Sequence, residues 1–165
     1  MSFGFLLAGF LATTNAGRVA LARDASRPRP RTVALALAAG AALVVVTVVF
    51  ADDLLDALSI SPESFRIAAG IVLAVTAVRT LLWPSAAAGP FTAVLLTPEL
   101  ACLGLSFGAD EPLGRALAAA AAAVAIAAIA GAVRVPVPAV LTAQLLAALQ
   151  IVVAVALAIS GMRDV

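Results

Sequence analysis

The chain has 165 residues, of which 64% are hydrophobic and only 12% charged, with a mean hydropathy of +1.18. Soluble domains carry about a quarter charged residues, so this chain lacks the polar surface to cover a water-soluble core and reads as an integral membrane protein. A net charge of +1 points to no nucleic-acid partner, while one cysteine (Cys102) and no histidine exclude an intramolecular disulfide, a paired thiol-redox motif and the usual zinc ligand sets.

Six apolar stretches approach the roughly 20 residues that a spanning helix needs. In chain order they are Ser2–Ala20, Val33–Ala51, Phe65–Trp83, Phe91–Phe107, Leu113–Val133 and Ala139–Gly161. The first contains an "ALA" at 20–22 that imitates a signal-peptide cleavage box. Its positive charges, Arg18 and Arg23, follow the apolar run instead of preceding it, so it is retained as a membrane segment. The breaks "RDASRPRPRT", "DDLLDALSISPES", "WPSAAAGP", "GADEPLG" and "RVPVP" separate the stretches. Arg79 and Trp83 at the end of the third suit an interfacial anchor. The fifth is mostly Ala, too weakly apolar for lipid exposure and better suited to a packed bundle.

Charge supplies an orientation. The odd-numbered loops carry Arg (Arg23, Arg27, Arg29 and Arg31, then Arg79, then Arg134), whereas Asp52, Asp53, Asp56, Glu63, Asp110 and Glu111 fill the even ones. The positive-inside rule places the odd loops in the cytoplasm of a plasma-membrane protein, with both termini extracytoplasmic.

Cutting the chain into 1–86 and 87–165 gives two three-span halves of one membrane domain. "RIAAGIVLAV" (66–75) loosely resembles "LAALQIVVAV" (146–155), and the first span of each half carries a polar interruption: "ATTNAGR" (12–18) and "LLTPELA" (95–101). Three spans is an odd number, so the halves insert in opposite senses. The expected fold is all-α, with six transmembrane helices in an inverted three-plus-three repeat and interrupted first and fourth helices.

Three stretches resemble the MarC family. "FLATTNAGRVALA" is similar to its first-helix Asn-Pro-x-Gly motif, with Asn15 and Gly17 kept and Ala16 in place of proline. "LSISPESFRIAAGIVLAVTAVRTLLWP" (58–84) resembles its third-helix Gly-Ile-Ser stretch and the Phe-Arg-Ile-Ala-Gly-Gly pattern that follows. "FTAVLLTPELACL" resembles the Ala-Gly-Pro-Gly segment, with Pro98 at the proline and Glu99 where glycine is expected. The resemblance implies a six-helix protein of the LysE-type exporter superfamily.

The polar residues within the spans are the candidate site. Glu99 lies about 13 Å into its span at the helical rise, near the middle of a hydrocarbon core about 30 Å thick. A charged acid there costs roughly 2.5–3.5 kcal/mol, so it must face the bundle interior, be protonated or be paired. It is a candidate proton carrier or, alternatively, a clasp between helices. Pro98 is expected to break the helix and free a backbone carbonyl. Asn15 and Thr14 form the counterpart in the other half, with Gly17 allowing an unwound turn. Arg18 is a candidate ion-pair partner of Glu99, although the adjacent basic loop favours snorkelling. Gln150 either lines a cleft or bridges helices. Without His no catalytic dyad is apparent, so no enzyme is expected. The leading expectation is an exporter of a small metabolite, driven by protons and needing no cofactor or metal, with homo-oligomers left open. The competing expectation is a non-transporting scaffold or accessory subunit.

Overall fold

The computed structural model describes residues 2–26, 29–84, 97–132 and 138–163. Among them are eight helices and no strand: α1 (Phe3–Thr14), α2 (Ala16–Ser26), α3 (Pro30–Val49), α4 (Ala51–Ala57), α5 (Pro62–Leu82), α6 (Pro98–Asp110), α7 (Leu113–Ala132) and α8 (Ala139–Arg163). Their starts follow from local chemistry. Ser2, Ser61 and Thr97 each accept a hydrogen bond from a backbone N–H in the first turn, and Pro30, Pro62 and Pro98 stand within the first turn of their helices, where proline loses no hydrogen bond. Pro98 therefore stands at the start of α6, after the extended Thr97. The first half of the fourth expected span, 91–96, lies outside the described residues.

Four helical stretches are long and apolar enough to cross a membrane: Phe3–Asp24, Arg31–Val49, Pro62–Leu82 and Ala139–Arg163. The first of these comprises α1 and α2 with the break between them. α6 is only 13 residues long and the apolar part of α7 covers Leu113–Ile129, so both fall short of that length among the described residues.

The more extensive helix contacts all join the first half of the chain to the second. α5 lies along α8, α1 packs on α7 and α8, α3 on α6 and α7, and α2 on α8. Among the described residues, α1–α5 therefore pack mainly on α6–α8 and little on one another. α5 and α8 run antiparallel, tied by Arg66 to Ser160 at one end and by Gln144 to the Leu81 carbonyl at the other. Between those ties Gly70 lets the backbones meet, because a Cβ there would lie 2.7 Å from the Ala154 carbonyl oxygen.

The core centres on Phe107, whose ring meets the edges of Phe5 and Phe10 at centroid distances of 5.9 and 5.5 Å. Ala116, Ala119, Ala120, Ala123 and Ala127 form the buried stripe of α7, so the alanine-rich segment is indeed a packing helix. Many large apolar side chains of α3, α5 and α8 point outward. Leu35, Ile71, Val75, Leu145 and Val152 are each at least 60% exposed, a distribution suited to contact with lipid tails. Arg79 and Trp83 are exposed together at one end of α5, in keeping with an interfacial anchor.

Candidate binding site at the helix break

The break between α1 and α2 is one residue, Asn15. Its backbone is left-handed (φ 39°, ψ 79°), a conformation that asparagine tolerates better than most side chains. Asn15 closes one helix and opens the next. Its N–H donates to the Leu11 carbonyl at 3.1 Å, and its Oδ1 accepts from the Arg18 N–H at 3.1 Å. Its Nδ2 donates to the Ala143 carbonyl of α8 at 3.0 Å, so the buried amide has both ends occupied.

Gly17 has a different role from the expected one. It sits inside α2 with an ordinary helical backbone, and the unwound residue is Asn15. A Cβ at Gly17 would collide with the Ala143 backbone, so the glycine allows α2 to lie directly on α8. Thr14 likewise acts locally, since its hydroxyl donates to the Phe10 carbonyl at 2.8 Å and is satisfied within α1.

Arg18 does not snorkel along the basic loop. It turns inward, and its Nη1 lies 3.3 Å from Oε1 of Glu99, with the two side chains 11% and 4% exposed. Glu99 stands in the first turn of α6, one residue after Pro98 and two after the capping Thr97. Its carboxylate is therefore favoured by the positive end of that helix as well as by the guanidinium. The polar interruptions that the sequence displays in separate halves thus come together: the break at Asn15 and the start of α6 are joined through Arg18 and Glu99.

Gln150 is placed apart from that junction, about 10 Å along α8 from Ala143 at the helical rise. Its Nε2 donates to the Leu73 carbonyl at 3.1 Å and to the Thr76 hydroxyl at 2.9 Å. Of the two readings for Gln150, bridging helices is the one its bonds express. An open groove of about 440 Å3 lies between α3 and α7, lined by Ala41, Val44 and Val45 with Leu117 and further alanines and a valine of α7. None of the predicted site residues lines it.

Sequence reasoning overlooked a second buried ion pair. Arg66 of α5 holds Asp110, the last residue of α6, through Nη2, while its Nη1 donates to Ser160 Oγ of α8 at 3.2 Å. The signal was available: "SFRIAAG" puts an arginine inside an apolar helix, where it needs an acid partner. From sequence Asp110 counts with Glu111 among the acids of the fourth loop.

No protein-family model, curated protein or solved structure matches the chain, so the likeness to the MarC family rests on the motifs quoted above.

Proposed function

We propose that the protein is a multi-pass cell-membrane transporter that exports a small metabolite, coupled to protons through Glu99. In this reading it has six spans in an inverted three-plus-three repeat, with the Arg-bearing loops cytoplasmic, and is a divergent relative of the MarC family. The observation that carries the reading is the meeting of the broken first helix with the start of α6 around one buried carboxylate. Helix ends inside an apolar bundle are where transporters gather ligand-binding backbone groups and charges. Here the amino end of α6 and the Arg18 side chain from α2 both face the Glu99 carboxylate.

In the arrangement described, Glu99 is only 3% exposed and corresponds to an occluded form. Protonating Glu99 removes its attraction to Arg18 and loosens α2 from α6. Rocking of one repeat against the other would then open the junction to one side of the membrane and, after proton release, to the other. The test compares small molecules in cells and medium for wild type, a deletion strain and Glu99→Gln at equal membrane abundance. A compound retained inside both mutants and depleted from their medium supports export. Identical profiles across several growth conditions count against it.

The same burial favours a second reading, a scaffold in which Arg18–Glu99 is only a clasp between helices. That reading expects Glu99→Gln to lower membrane abundance or partner capture while leaving metabolite distribution unchanged.

A further inference from the structure

Glu99, Cys102, Ser106 and Asp110 follow one another at helical spacing along α6 and share one face of it. The face begins at the Arg18–Glu99 pair and ends at the Arg66–Asp110 pair. Ser106, between them, is 2% exposed, and its Oγ has no hydrogen-bond partner among the described residues. It differs in this from the other buried hydroxyls. Thr13, Thr14, Thr47 and Thr80 each donate to a carbonyl one turn back, and Thr97 accepts a capping bond. Such a back-bond is open to any helical serine, and a buried hydroxyl that forgoes it calls for another polar partner. Water is the smallest group that satisfies a hydroxyl in an apolar bundle.

We propose that this face of α6 is a proton path from the acidic end of the bundle to Glu99, with Ser106 as its relay. The proposal rests on the proton-coupled transport reading and supplies its route. Asp110, whose side chain is 16% exposed, marks the mouth, where Arg66 of α5, itself bonded to Ser160 of α8, holds it in place. Ser106 stands about 6 Å from Asp110 and about 10 Å from Glu99 along the helix axis. At hydrogen-bond spacing those gaps take about one and three waters. A proton arriving by water binds the Ser106 oxygen as the hydroxyl releases its own hydrogen to the next water. Glu99 takes up the last proton and becomes neutral, which breaks its ion pair with Arg18. Among the described residues, the other charges on helices packed against α6 are the exposed acids of α4, Glu63 of α5 and the exposed Arg31, Arg79 and Arg115 near helix ends, while Glu111 adjoins Asp110 beyond the end of α6 and Arg163 ends α8.

The test reconstitutes the full chain in phosphatidylethanolamine–phosphatidylglycerol vesicles with an enclosed pH dye and a valinomycin-clamped potential. After an external acid jump, wild type should admit protons at least tenfold faster than protein-free vesicles. Ser106→Ala should lose at least nine-tenths of that flux, and Ser106→Thr, which keeps the hydroxyl, should retain it. Wild type no faster than empty vesicles, or Ser106→Ala as fast as wild type, overturns the path. So does a loss shared by Ser106→Thr, because volume and not the hydroxyl would then be responsible. The metabolite comparison with Glu99→Gln is independent of these outcomes: if it still reveals an exported compound, transport stands and only this route falls.

Discussion

The two ion-paired acids of α6, buried Glu99 and half-buried Asp110, occupy opposite ends of one helix, and their settings differ. Glu99 lies in the first turn, where the helix dipole favours a carboxylate even without Arg18. Asp110 is the last residue, where the dipole opposes a negative charge, so it depends on Arg66. Arg66 also reaches Ser160, which makes that end a three-helix tie among α5, α6 and α8. The Arg18–Glu99 end is joined by a 3.3 Å contact beside a one-residue helix break. The Arg66–Asp110 end is thus tied across three helices, whereas the Arg18–Glu99 pair joins two.

The comparison is most exposed to failure at Arg66. Arg66→Met leaves the half-buried Asp110 without its guanidinium at the unfavourable end of its helix and should destabilise the protein by about 2–4 kcal/mol, read by thermal unfolding in mild detergent. A loss below about 1 kcal/mol would remove the structural role given to that end. Next comes Gly17→Val, which drives a branched side chain into the Ala143 backbone. Overpacking of this kind costs about 1–3 kcal/mol or more, and it should also pull Arg18 away from Glu99, so that a spectroscopic distance between labels on α2 and α6 lengthens. An unchanged distance would mean that the ion pair, and not the close approach to α8, positions α2.

Arg18→Met is the direct counterpart of Arg66→Met. The dipole of α6 can offset up to about 2 kcal/mol of the lost attraction, so the expected cost is roughly 1–3 kcal/mol and smaller than at Arg66. Equal costs at the two sites in the same detergent would abolish the distinction between them. The smallest effect belongs to Gln150→Leu, midway along α8, where hydrogen bonds to Leu73 and Thr76 are lost. Such bonds between membrane helices are worth about 0.6 kcal/mol on average and at most about 1.7. A larger loss would make the α5–α8 seam, and not either ion pair, the main polar tie of the bundle.

Much of the architecture was readable before any coordinates. Hydropathy alone makes the chain a helical membrane protein, because a surface this apolar cannot face water. The interruption at "ATTNAGR" was also legible, since Asn is among the few residues that enter the left-handed region readily, and it is there that α1 ends and α2 begins. The cap Thr97, the initiating Pro98 and the first-turn Glu99 spell a helix start as plainly. The expected break at Pro98 coincides with that start, and the residues preceding it, 91–96, lie outside the described ones.

Tertiary structure decided which charges meet. Arg18 could have snorkelled or turned inward, and local sequence cannot distinguish these because Glu99 is 81 residues away along the chain. Arg66 and Asp110 are 44 residues apart, and Asn15 and the Ala143 carbonyl 128. Gly17 reads from sequence as freedom to unwind, and only the nearness of α8 turns it into a requirement for having no side chain. Local chemistry along a chain determines where helices start, stop and bend. Which faces then touch depends on how all the helices exclude lipid from one another at once, and no single segment carries that information.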